Sequence, residues 1–189
     1  MYEEVRMKNT EIKKIAIGGE IQIGKSTLVE RLLTCINIPV SGFMTKLDRN
    51  AADEAGMFPL YIYPASMPKD QRENTPDNLL GACAGRNRHK AYTDRFDVLA
   101  TSLITDIPEE NVTVMDELGF LESEAEHFKA QVRQILSEDR YVIMVIKDRF
   151  DVQFLDELRS IPDVAYYSVT KENRDRLYEE LAPVVRAWK

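Results

Sequence analysis

Cysteine is scarce in this chain. Cys35 and Cys83 are the two in 189 residues, and they lack the paired spacing of a zinc site; Cys35 falls on the apolar side of an expected helix, so both read as small core residues. Basic charge is also short: 25 Lys and Arg face 32 Asp and Glu, a formal net charge of −7 and a pI near 5.0. A nucleic-acid backbone and an anionic membrane both reward a basic face, so neither is the expected main partner. No apolar run approaches the roughly 20 residues that span a bilayer, and the first residues carry no signal-peptide pattern; a cytoplasmic location is expected. Internal repeats and low-complexity tracts are missing as well. Hydrophobic residues make up 44%, enough to fill one core, so residues 1–189 are expected to form a single domain with a loosely ordered extension over residues 1–10.

What is present is local and specific. Gly19, Glu20, Ile21, Gln22, Ile23, Gly24, Lys25, Ser26 and Thr27 contain the full G-x-x-x-x-G-K-[ST] phosphate-binding loop. A short β-prone run over 12–17 precedes it, and helically spaced apolar residues over 26–35 follow. In a strand–loop–helix of this kind, successive backbone N–H groups curl around phosphates at a helix N-terminus. Lys25 is placed to reach the β- and γ-phosphates, and the Ser26 hydroxyl to ligate Mg²⁺.

Further strand-like runs recur over 38–45, 58–63, 112–115, 141–146 and 164–169, with helical patterns over 93–105, 122–137, 152–159 and 171–187. This alternation predicts an α/β fold: a mainly parallel central sheet with helices on both faces, a P-loop NTPase (Rossmann-like) arrangement. The runs at 112–115 and 141–146 are apolar almost throughout, as central strands covered on both sides are. The run at 58–63 alternates and contains Pro59, which predicts a peripheral, antiparallel strand. Residues 64–87 are rich in Pro, Gly, Asn and Asp and show no period; an insert over 64–90 is expected to be a mobile lid. Trp188 is expected to pack the last helix or lie exposed.

The second site is Asp116-Glu117 at the end of the run 112–115, the Walker B arrangement. Asp116 is the candidate Mg²⁺ ligand, and Glu117 the candidate base that polarises water for in-line attack on the γ-phosphate. Gly85-Arg86-Asn87-Arg88-His89-Lys90 concentrates cationic side chains. Arg86 and Arg88 are candidates for neutralising charge on the transferring phosphoryl group; a solvated surface run is the other reading. Thr45 or Lys46 could reach the triphosphate as a switch residue, or Thr45 could be a plain strand residue. Thr170 to Arg174 closes the last strand at the same sheet edge as the phosphate loop. There Asn173 could bond a base and Arg174 stack on it, or Thr170 and Asn173 could cap the last helix.

Gly42-Phe43-Met44-Thr45, Met115-Asp116-Glu117-Leu118-Gly119-Phe120-Leu121-Glu122 and Val169-Thr170-Lys171-Glu172-Asn173-Arg174, together with the phosphate loop, resemble the thermophilic and cancer-related nucleoside-triphosphatases over nearly the whole chain. The resemblance implies a single P-loop domain that hydrolyses nucleoside triphosphates, ATP and GTP among others, to diphosphates with Mg²⁺ and little discrimination between bases. A nucleoside or nucleotide kinase, and a slow switch gating a protein partner, are the alternatives.

Overall fold

The computed structural model describes residues 11–84, 88–119, 124–148 and 151–189. Strand β1 (Lys14–Gly19) is buried along its whole length and leads through the phosphate loop into α1 (Lys25–Leu33), whose Leu28, Val29 and Leu32 face inward. The chain continues through β2 (Val40–Leu47), β3 (Phe58–Pro64), β4 (Leu79–Ala84) and β5 (Arg88–Ala91). Next come α2 (Thr93–Arg95), a π-helical turn (Phe96–Ala100) and α3 (Thr101–Ile104). Strand β6 (Val112–Leu118), α4 (Glu126–Ser137), β7 (Val142–Ile146), α5 (Gln153–Arg159), β8 (Val164–Val169) and α6 (Arg174–Arg186) complete it.

The strands form one eight-stranded sheet in the order β5-β4-β3-β2-β6-β7-β1-β8. Strands β2, β6, β7, β1 and β8 run parallel, and β3, β4 and β5 extend the sheet as an antiparallel wing. Period-two alternation divides the parallel part between two cores. Met144 and Ile146 of β7 and Met115 of β6 meet Phe43, Phe96 and Phe128 on one face. Ile143 and Val145 of β7, with Ile15 and Ile17 of β1, meet Leu28, Leu181 and Val185 on the other. Helices α3, α4 and α5 thus cover one face, and α1 and α6 the other. Trp188 is buried at 2% exposure, donates its indole N–H to Ile12 O at 2.9 Å and stacks on Tyr141. Among the described residues no helix is long and apolar enough to cross a membrane.

Two sequence expectations are corrected here. Strand β3 is antiparallel to β2 but not peripheral, because β4 pairs along its other side. The stretch without a period is, over 64–84, a strap followed by strand β4, which pairs with β5. Lys69 and Arg72 pair with Glu30 of α1 at 2.9 and 3.2 Å. Tyr63 donates to Asn74, Asn74 donates to Asp48 at 2.7 Å, and Thr75 with Asn78 forms a capping box at a short 3-10 turn. The strand β4 reads Leu-Leu-Gly-Ala-Cys-Ala, and its small residues carry none of the β-branched or aromatic signal by which a strand is read. The extension 1–10, Arg86 and the expected helix start at 122 lie outside the described residues.

Candidate active site

In a parallel α/β sheet the crevice lies at the carboxyl ends of the strands, and the functional residues converge there. The phosphate loop turns on two glycines. Gly19 has φ +133° and Gly24, which caps α1, has φ +102°, conformations open to glycine without Cβ strain. A Cβ on Gly19 would stand 2.5 Å from Val169 O, and one on Gly24 would stand 3.0 Å from Arg174 Cδ. Gln22 adds a third positive φ, +65°, while Ile23 turns inward and is buried among the α1 and α6 core residues. Glu20, Ile21, Gln22, Gly24, Lys25, Ser26 and Thr27 line the cleft.

Lys25 is only 6% exposed. Its ammonium donates to the carbonyls of Gly19 and Glu20, each at 2.9 Å, and stands 3.5 Å from Glu117 Oε1. The amino group therefore sits at the centre of the loop, in the position a phosphate-neutralising cation requires.

Strand β6 delivers the two carboxylates. Its ladder to β7 pairs Met115 with Met144 and then Leu118 with Ile146, with a register shift between them. That bulge takes Asp116 and Glu117 out of regular pairing with β7, while Asp116 stays in register with Met44 of β2. Asp116 is 1% exposed and accepts the Ser26 hydroxyl at 3.2 Å through Oδ1. Its Oδ2 is buried without a hydrogen-bond partner. Burial, and next the negative charge of Glu117, push the Asp116 carboxyl up to about 7, against the opposing pull of the Ser26 hydrogen bond and the Lys25 cation.

A buried carboxylate oxygen without a hydrogen-bond partner beside a serine hydroxyl is a hard-oxygen donor pair suited to a cation. These residues fit Mg²⁺, which is held through one or two protein oxygens with substrate phosphates and water completing the shell. Among the described residues no group of three or more His, Cys, Asp and Glu could hold a metal by itself.

Glu117 lies between two lysines: Lys25 on Oε1, and Lys147 on Oε2 at 3.9 Å. Its backbone N–H donates to the Thr45 hydroxyl at 3.3 Å. Thr45 faces the cleft, and Lys46, its exposed neighbour on β2, does not line it. Sequence reasoning missed Lys147 and Asp148, which line the cleft. Their signal was available: they directly follow the all-apolar β7 at the same sheet edge as Asp116.

The remaining candidates are dispersed. Asn173 accepts the Thr170 N–H at 2.7 Å and donates to Ser168 O at 2.8 Å, so both ends of its amide cap the chain instead of facing a base. Arg174 lies against Gly24 behind the loop and is not among the cleft-lining residues. Arg86 is outside the described residues. Arg88 enters as the backbone partner of Ala84 at the start of β5, one strand beyond the cleft residue Cys83.

Comparison with known proteins places this geometry. The cancer-related nucleoside-triphosphatase homolog of Mus musculus is 25% identical over 188 residues, 93% of this chain and 97% of that protein. The nucleoside-triphosphatase THEP1 of Thermotoga petrophila is 26% identical over 173 residues, 92% and 93% of the two chains. The crystal structure of THEP1 from Aquifex aeolicus superposes with a TM-score of 0.71 at 22% identity, covering 91% of this chain and 98% of that one. The solution structure of a human cancer-related nucleoside triphosphatase gives 0.67 at 22% identity, with 94% and 99% covered. Both solved structures share the P-loop α/β fold. The NTPase family model matches residues 14–182, which takes in the phosphate loop, both carboxylates and Lys147: the chain belongs to the NTPase family.

Proposed function

We propose that this protein hydrolyses nucleoside triphosphates to diphosphate and phosphate with Mg²⁺ and with little discrimination among bases. The observation that carries it is the pairing of Ser26 with Asp116 and of Lys25 with Glu117 at one end of the cleft, with Asp116 Oδ2 unpartnered. Family membership supports the reaction class.

The loop amides and Lys25 bind the phosphates, and Lys25 exchanges its two carbonyl acceptors for phosphate oxygens. Ser26 and Asp116 would hold Mg²⁺, which would supply charge neutralisation for the phosphoryl transfer. Glu117, released from Lys25 by that exchange, accepts the proton of the attacking water. Its N–H bond to Thr45 fixes the backbone from which the carboxylate projects. Lys147 stands on the other side of Glu117 and can meet the negative charge of the phosphoryl group. Asn173, the candidate base-reading amide, is committed to capping, which supports weak base discrimination.

The test is phosphate release from ATP, GTP, CTP and UTP, with Mg²⁺ and with EDTA. Comparable Mg²⁺-dependent release from all four is expected. Release that persists in EDTA, or is confined to one base, contradicts the proposal.

A further inference from the structure

The cleft extends past the catalytic residues. Its volume is about 590 Å³, whereas one water takes up about 30 Å³ of liquid. Beyond Thr45 and Glu117 the lining changes character, to Leu47, Leu60, Phe58 and Cys83 with Arg49 at the rim. Leu47 pairs with Leu60 across β2 and β3, and Phe58 pairs with Cys83 across β3 and β4. These residues therefore form one apolar floor on a single face of the antiparallel wing.

A phosphate chain does not suit that floor, because anions are costly to desolvate against apolar side chains. With the triphosphate running from the phosphate loop toward Glu117, the nucleotide's own base would not reach it either. The phosphate loop is carried on β1, Glu117 on β6 and the apolar floor on β2, β3 and β4, in that order along the sheet. At about 4.8 Å per strand, the floor begins on the far side of Glu117, beyond the γ-phosphate end. The base must leave from the opposite end of the triphosphate.

We infer that this floor is a second-substrate subsite that takes a flat heteroaromatic alcohol of the nucleoside kind, with its hydroxyl presented to Glu117 as a phosphoryl acceptor. The half-buried Phe58 ring offers a stacking surface. The Arg49 guanidinium, 5.8 Å from that ring's centroid, supplies a planar cation at the mouth. In the transfer, the acceptor O–H gives its proton to the Glu117 carboxylate and its oxygen bonds to Pγ. The bond from Pγ to the β–γ bridging oxygen breaks, the nucleoside diphosphate leaves with that electron pair, and Glu117 returns the proton to solvent. The inference rests on the assignment of Glu117 as base, which serves water and an alcohol alike.

The test uses the full chain with Mg²⁺, γ-³²P-labelled ATP and, separately, millimolar adenosine, guanosine, cytidine and uridine, resolving labelled nucleoside phosphate from free phosphate. Labelled ester with at least one nucleoside is expected. Phe58→Ala, and Arg49→Ala at an exposed position, should lower the ratio of ester to free phosphate by about tenfold or more. Free phosphate with no ester from any nucleoside overturns the subsite and leaves hydrolysis standing. Neither product overturns the Glu117 assignment and the subsite with it. An unchanged ratio in both variants overturns the placement on β2 and β3.

Discussion

Lys25 Nζ and Glu117 Oε1 stand 3.5 Å apart, so the phosphate-binding cation and the candidate base occupy one locus before substrate arrives. Lys25 satisfies itself on Gly19 O and Glu20 O at the same time. The loop is thereby held in its curve by the cation proposed to bind phosphate.

Replacing Lys25 by alanine removes a charged donor from both roles. A hydrogen bond to a charged group contributes roughly 1.5–3 kcal/mol, so MgATP affinity should fall by about 10- to 150-fold. The fold should persist, because the loop is a surface element. Isothermal titration measures this, and an affinity equal to that of the wild type contradicts the loop assignment.

The buried Asp116 carboxyl gives the metal-free protein a pH signature. Its native titration near pH 7, against 3.8 as the ordinary value, means that the fold keeps a proton the unfolded chain has released. Its contribution to stability is fully present below about pH 4 and is lost as the pH rises, completely so above about pH 7. The loss is at most on the order of 4 kcal/mol, at about 1.36 kcal/mol per unit. Asp116→Asn cannot ionise, so in EDTA it should melt higher than the wild type at pH 8 and nearly equal to it at pH 4. It should also lose the stabilisation that Mg²⁺ gives the wild type at pH 8. A melting difference independent of pH would contradict the account.

Lys147 approaches Glu117 Oε2 at 3.9 Å from the side opposite Lys25. If it meets charge on the phosphoryl group, Lys147→Met should lower turnover by roughly 10- to 1,000-fold, the scale for removing one preorganised transition-state donor. MgATP affinity should stay within a few-fold, and Lys147→Arg should restore part of the loss. Stopped-time phosphate assays with a parallel binding titration separate the two parameters.

The strap between β3 and β4 is anchored by Arg72, which pairs with Glu30 at 3.2 Å and donates through Nε to Met67 O at 3.1 Å. Its side chain is largely buried. Arg72→Ala should cost about 1–3 kcal/mol by leaving the Met67 carbonyl without its donor and Glu30 with Lys69 alone. Urea denaturation reads the loss directly, and a change below about 0.5 kcal/mol would mean the strap is not held by this residue.

The parallel half of the molecule was legible in the sequence because its signals are strong where burial is two-sided. Val142–Ile146 is apolar at every position, and the loop motif fixes the strand before it and the helix after it. The antiparallel wing was not legible, since β4 is built from small residues and lies behind a Pro- and Asp-rich strap whose order comes from long-range partners such as Glu30 and Asp48. In the site, Lys25, Ser26, Asp116 and Glu117 carry spacing that chemistry dictates, and they converge as expected. Lys147 carries no motif, and its signal in the sequence is its place directly after the all-apolar β7, at the sheet edge it shares with Glu117. Asn173 shows the converse: a pattern compatible with base recognition that local capping consumes.

Glu117→Gln tests the central claim, that this carboxylate accepts the proton of the attacking water. The change keeps the shape and removes the charge and the proton acceptor. The account predicts single-turnover hydrolysis about 10²–10⁴-fold slower with MgATP affinity within a few-fold of the wild type; near-normal turnover in the mutant would contradict it.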